Sequence, residues 1–411
     1  MTPGVRLRHL PHPFAAALAI CSDLDETPDL DVYLEIVRYL NGRDGSRMGP
    51  GLGLEVGNSI YFEMPPEQFA YWNAGERGQA AVRALIRSGH VDCIHSFGDL
   101  AVSRAHAERA LGELRRHGCR VEVWVDHSRA PSNLGPDIMV GQGDVPGAPA
   151  YHADLMREFG VRYVWRGRVT SVIGQDRPAS FGGLLSAGHP WTSAVTLGKE
   201  IVKHALARAG SEKYAPHAAN RVYRVVSLRD GTRVLEFLRC NPSWGGVSHS
   251  DNAAGVADVL TDGFLRRLVE REGVCILYTH LGKVVSRAEP LPPGSRAALA
   301  RLAAFAGENR ILVATTRRLL RYLTVRDHLR FRPEGEGDRC RILLEAVDDP
   351  LDGPRRPQPE ELQGLTFATP ATDVTVHLAG EELPCERTRS QGTTYAGIPW
   401  RPLRFPAGEI P

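Results

Sequence analysis

Lysine is nearly missing from this chain. Lys199, Lys203, Lys213 and Lys283 are the only four among 50 basic residues. Excess charge of either sign is missing too, since 50 Lys+Arg against 48 Asp+Glu leaves +2 over 411 residues. That balance argues against the electrostatic footprint of a nucleic-acid binder and against a polybasic membrane anchor. Long apolar runs are absent. The longest near the N-terminus, Phe14 to Cys21, has eight residues and ends at Ser22-Asp23, whereas a spanning helix needs about 20. Acidic residues follow it where a secretory signal would place small residues for cleavage. Paired cysteines are lacking as well. Cys21, Cys93, Cys119, Cys240, Cys275, Cys340 and Cys385 form an odd, scattered set without CxxC spacing. Such a set reads as reduced, mostly buried thiols in a cytoplasmic protein.

What is present is an alternation. Short β-rich apolar runs occur at Ala15–Cys21, Leu54–Phe62, Val91–His95, Val121–Val125, Val161–Trp165, Val234–Leu238, Val274–Tyr278 and Ile311–Ala314. Helix-like stretches separate many of them, at Leu30–Leu40, Gly78–Ser88, Arg104–His117, Tyr151–Phe159, Ser295–Ala306 and Arg317–Leu323. Asp29 or Thr27-Pro28 stands where the first helix needs a cap. Alternating strands and helices imply a parallel sheet with helical crossovers. The number of runs suits an α/β protein with a (β/α) barrel of 7–8 parallel strands, closed or slightly incomplete. Val222–Ser227 and Val234–Leu238 flank the turn signal Arg229-Asp230-Gly231, which reads as a hairpin inserted into that barrel. Beyond Asp327 the pattern changes to alternating strands and a Pro-rich stretch, Pro350–Pro359. The expected organisation is a barrel over 1–327 and a β-sandwich-like, all-β module over 328–411.

In an α/β barrel the chemistry sits at the C-terminal ends of the strands. Here those ends carry polar groups repeatedly: Asp23 and Asp25, His95 and Asp99, Asp126-His127 leading to Asn133, Arg166, Arg239, and His280. Two carboxylates two residues apart can divide labour, one holding a metal and one moving a proton. Imidazoles from other strands can complete a divalent metal site with an open position for water. His280 then stands as a separate proton donor to a leaving group. Asn133, Arg166 and Arg239 are candidate substrate-binding residues, and either arginine is positioned to orient Asp23 or to bind an anionic substrate group. The long loop from Ser128 to Ala150 is a candidate cover for the site. Trp165, Trp191 and Trp244 lie in loops on the same expected side, where an aromatic face can pack or stack on a sugar.

This set of spaced motifs resembles the polysaccharide deacetylase superfamily, the NodB-homology or carbohydrate esterase 4 type, over roughly residues 14–320. The resemblance implies a deformed (β/α) barrel and a metal-dependent hydrolase that removes acetyl groups from N-acetylated sugars. It implies Asp23 as catalytic base, Asp25 and His95 as metal ligands, and His280 as the late catalytic histidine. The third ligand is either Asp99 or His127. The expected cofactor is a divalent metal, zinc first, and the expected partner is a carbohydrate or small-molecule substrate, with no nucleic acid and no membrane. The chain departs from the family pattern in two places: Leu24 separates the paired aspartates, and Asp99 stands where the motif has its second histidine.

Two other readings remain open. Asp23-x-Asp25-x-Thr27 after an apolar run also resembles motif I of haloacid dehalogenase-type phosphatases, with Asp23 as nucleophile, Asp25 as acid/base and Mg²⁺ as cofactor. That reading needs a late pair of aspartates, for which only Asp348-Asp349 stands, and a lysine, of which there are few. It also leaves His95, His127 and His280 unexplained. The remaining alternative is a non-catalytic carbohydrate-binding or assembly protein whose site has decayed.

Overall fold

The computed structural model describes residues 4–23, 27–185, 188–242 and 251–410. Two compact units are present: residues 16–317 with 403–410, and residues 4–15 with 318–402. The first unit therefore takes in a short C-terminal stretch. The second begins with the N-terminal residues, which the expected division at 327/328 did not separate from the barrel.

The larger unit is mixed α/β. Its sheet contains β1 (Ala16–Asp23), β2 (Gly57–Ile60), β3 (Val91–His95), β4 (Val123–Val125), β5 (Tyr163–Trp165), β6 (Val169–Thr170), β7 (Tyr223–Ser227), β8 (Arg233–Phe237), β9 (Arg239–Cys240), β10 (Val274–Thr279) and β11 (Ile311–Val313). The strand order is β7-β8-β5-β4-β3-β2-β1-β10-β9-β6, with β11 also beside β1. Every pairing is parallel except β7 with β8. The parallel strands curl into a half-barrel.

Helices follow the strands. They are α1 (Leu30–Asn41), α2 (Gly75–Ser88), α3 (Arg104–Arg116), α4 (Ala153–Phe159), α5 (Pro190–Arg208), α6 (Val256–Val259), α7 (Asp262–Glu270), α8 (Pro293–Gly307) and α9 (Thr316–His328). Asp29 caps α1 by accepting the Val32 N–H at 2.9 Å, which satisfies one of the donors a helix start leaves open. β1 is buried along its whole length, as expected of a central parallel strand covered on both faces.

The anticipated hairpin exists, but only β7 is an addition. Its partner β8 pairs parallel with β5, Leu235 opposite Tyr163. The run 233–240 then continues as β9 between β6 and β10, with Cys240 opposite Leu277.

One long helix, α5, was not anticipated. Its inward residues include Ser193, Thr196, Glu200 and His204, while Trp191, Val195, Ile201, Val202 and Leu206 face outward. This reverses the usual amphipathic order. Trp191, expected in a loop, stands in its first turn.

The second unit is not purely β. It includes residues 318–328 of α9 beside two small sheets. One sheet runs Arg6–Leu7, Thr366–Thr369, Thr393–Gly397, Glu386–Ser390, all antiparallel. The other contains the expected hairpin of Leu329–Glu334 and Arg339–Asp349, and the second of these strands pairs parallel with Asp373–Leu378. Phe331 packs edge-on against Phe367 at 5.0 Å. Among the described residues no helix is long and apolar enough to cross a membrane. The described cysteines are all free, and all but Cys385 are buried.

Candidate active site at the strand ends

Parallel register brings the strand ends side by side. Asp23 lies opposite Ser59 on β2, and Ser22 opposite Thr279, one residue before His280. The β2–β3 register shifts at Asn58/Ser59, an irregularity of the kind that re-aims a side chain. The result is one buried polar cluster. Ser59 Oγ donates to Asp23 Oδ1 and stands 3.1 Å from His95 Nδ1. His95 Nδ1 is 3.4 Å from the same Asp23 oxygen. Tyr61 stacks on the His95 ring at 4.3 Å, with its hydroxyl 3.3 Å from Nε2. Burial, with His127, Arg239 and His280 close by, holds the His95 imidazole well below its ordinary range, so it is neutral at pH 7.

The other Asp23 oxygen faces a different set. Oδ2 is buried and accepts no hydrogen bond among the described residues. It lies 3.8 Å from His280 Nε2 and 4.0 Å from Arg239 Nη1. Arg239 is completely buried. Its guanidinium stacks over Trp165 at 4.2 Å and Tyr278 at 4.9 Å, and it donates to Cys21 Sγ at 3.0 Å. His280 is held from both sides, by Asp251 Oδ2 3.4 Å from Nδ1 and by the Tyr278 hydroxyl 3.0 Å from Nε2. Burial alone would raise the Asp251 carboxyl, but the His280 hydrogen bond and charge, with Lys283, hold it below the usual range.

The rim is more open. His127 Nδ1 meets Asp99 Oδ1 at 2.9 Å, and its ring lies edge-on to His95 at 5.0 Å. The backbone between His95 and Asp99 is unusual: Ser96, Phe97 and Gly98 all have positive φ. The Phe97 carbonyl accepts from Phe62 and Glu63 N–H groups, which fixes the turn that carries Asp99 outward. Behind the rim, burial pushes Asp126 up to about 7, even though the Leu134 N–H and Trp124 indole donate to it.

Of the residues anticipated from sequence, Asp23, His95, Arg239 and His280 share one cluster, and His127 with Asp99 forms its rim. Asp25, like Trp244, lies outside the described residues. Arg166 and Asn133, expected to bind substrate, are otherwise engaged. Arg166 donates to buried Glu236 at 2.9 Å. Asn133 accepts the His127 N–H at 2.9 Å and donates to the His127 and Ser128 carbonyls, so its amide holds the rim loop. Trp165 is a buried platform for Arg239. Ser59, Tyr61, Tyr278 and Asp251 were not foreseen. Ser59 and Tyr61 lie two residues apart at the end of the second run, as Asp23 and Asp25 do at the first, which is the one signal that pointed to them.

The expected metal set joins His95 to Asp25, which lies outside the described residues, and to either Asp99 or His127. His95, Asp99 and His127 do not bring three ligand atoms within sharing distance of one another; among the described residues one group does, Glu200, His204 and His217. That buried group could hold a metal ion.

The chain was compared with protein-family models, curated proteins and solved structures, and it matches none of them.

Proposed function

We propose that the chain is a hydrolase of the polysaccharide deacetylase type, which cleaves the C–N amide bond of an N-acetylated sugar or glycan. The observation that carries this reading is Asp23 Oδ2. A buried polar atom without a partner is costly, and this one is flanked by a cation and by a histidine that is itself held by a carboxylate. Such an arrangement suits a water molecule that is about to lose a proton.

The chemistry follows from the positions. Asp23 Oδ2 takes a proton from water, and the water oxygen attacks the amide carbon. His280 gives a proton from Nε2 to the amide nitrogen as the C–N bond breaks. A carboxylic acid and an amine leave, Asp23 gives its proton up to solvent, and His280 takes one back from solvent, so both groups regain their starting states. Arg239 and Ser59 hold Asp23 in place, and Asp251 stabilises the imidazolium of His280 before it donates. A divalent metal held by His95, by Asp99 or His127 and by Asp25, which lies outside the described residues, would lower the pKa of that water; these steps are those of the protein's own groups. The fold proposal goes with it. The run 233–240 pairs with β5 through its first half and with β10 through Cys240, which supports a deformed barrel closed by this run.

The test is acetate release from N-acetylated chito-oligosaccharides. Asp23→Asn and His280→Ala are expected to lower turnover by roughly 10²–10⁴-fold, and Asp251→Asn by less. No turnover by the wild type, with p-nitrophenyl phosphate hydrolysis that needs Mg²⁺ and ignores His280→Ala, would reverse the reading in favour of a phosphatase. Oligosaccharide binding without turnover of any amide or ester would favour the non-catalytic reading.

A further inference from the structure

Helix α5 packs the wrong face inward for a helix in water. Its buried stripe is Ser193, Thr196, Glu200, His204 and Ala207. Buried polar side chains need partners. Glu200 has them. Its Oε1 accepts the Ser171 N–H at 3.1 Å and Lys203 Nζ at 2.7 Å, and its Oε2 accepts the Thr170 hydroxyl at 2.9 Å. His204 does not: it is 3% exposed, and among the described residues neither ring nitrogen has a hydrogen-bond partner. His217, from the short 3₁₀ turn Glu212–His217, is equally buried, and its Nδ1 is likewise without a partner, 3.9 Å from Glu200 Oε2.

These groups converge. Glu200 and His204 are four residues apart on one helix face, and the 3₁₀ turn folds back so that the His204 and His217 rings meet edge-on at 5.6 Å. One ligand atom from each of the three residues lies within 4.8 Å of the other two.

We propose that Glu200, His204 and His217 form a binding site for a divalent transition metal of the zinc type. Two imidazole nitrogens are borderline donors and the carboxylate oxygen a hard one; a His₂Glu set of this kind suits zinc, and the two imidazoles disfavour calcium or magnesium. Ligand bonds of about 2.0–2.2 Å require the three side chains to close by roughly an ångström, a rotation of side-chain torsions. Oε2 is the ligating oxygen. The Lys203 ammonium sits on Oε1 and the Thr170 hydroxyl orients the carboxylate, as outer partners of metal ligands commonly do. The ion pins α5 and the following turn to the end of β6. It also accounts for the polar stripe facing inward. This site shares no residue with the strand-end cluster, so its fate is independent of the proposed hydrolysis.

The experiment uses the full chain, stripped with a chelator and titrated with Zn²⁺ against a chromophoric competitor, with Co²⁺ absorption as a second readout. Wild type is expected to bind one equivalent at this site and to give a tetrahedral-type Co²⁺ spectrum. His204→Gln and His217→Gln should each weaken binding by more than about 100-fold, the upper range for losing a mere outer partner. His95→Gln should leave that equivalent in place. Thr170→Val, which keeps all three ligands, should weaken binding by about 10-fold. It serves as the decisive variant if the histidine variants fail to fold. The proposal is overturned if wild type binds no Zn²⁺ or Co²⁺. It is equally overturned if the bound equivalent survives in the His204→Gln/His217→Gln double variant, or if it is lost with His95→Gln alone.

Discussion

Arg239 and Asp23 are each fully buried, and their closest charged atoms stand 4.0 Å apart. Coulomb's law at an effective dielectric of about 20 gives roughly 4 kcal/mol for unit charges at that distance. That figure is a ceiling, because Asp23 also has Ser59 and His95, and Arg239 also has the Trp165 and Tyr278 rings. Arg239→Met removes the cation but keeps much of the volume against Trp165. It leaves a buried carboxylate without its counter-charge, which costs about 3–5 kcal/mol. Asp23→Asn leaves the guanidinium in the mirror situation. The double variant buries neither charge, so it is expected to be more stable than the sum of the single losses predicts, with a coupling of roughly 2–4 kcal/mol. The assay is urea denaturation of the four proteins, with fluorescence and far-ultraviolet circular dichroism required to give coincident transitions. Four free energies that add to within about 0.5 kcal/mol would refute the pairing. They would also remove Arg239 as the group that holds Asp23 for catalysis.

Other predictions concern the wall around the site. Asp126 has a folded-state value of about 7 against an ordinary 3.8, so the folded protein retains its proton where the unfolded chain has lost it. The stabilisation is present in full below about pH 4 and disappears as pH rises through 7. Between pH 5 and pH 8 wild type should therefore lose about 2.5 kcal/mol more stability than Asp126→Asn, and parallel pH profiles for the two would contradict this. Gly98 has φ +107°, and a β-carbon there would collide with the Glu63 carbonyl. Gly98→Ala should cost at least about 2 kcal/mol and displace Asp99 from His127, read as a lower denaturation midpoint; an unchanged midpoint would show that the turn is not constrained.

The alternation of short apolar runs with helical stretches marked most of the parallel strands, and Val91–His95 lies where expected to the residue. The reason is local: a strand buried on both faces is mostly apolar, with Asp92 an exception that the Arg317 N–H satisfies, and the break in that run is where the chain leaves the sheet. The same break identified Asp23, His95 and His280, because parallel strands end together on one side, whereas Arg239 opens β9 and remains in the sheet. Arg166 directly follows β5, and Asn133 stands in the loop that follows β4. Yet Arg166 pairs with Glu236, a distant part of the chain, and Asn133 with the main chain of His127 and Ser128 in its own loop.

The linear pattern determined where the strands end and which polar groups gather there. Only the tertiary structure decided what those groups face. The β2 irregularity turns Ser59 onto Asp23, Asp251 reaches His280 from a distant segment, and α5 turns its polar stripe inward. Helical periodicity records that a helix has two faces and not which of them is buried. That choice is made by what the helix packs against. Here Thr170, Ser171 and His217 meet Glu200 and His204. A sequence with four lysines and almost no net charge thus keeps its most consequential polar groups inside.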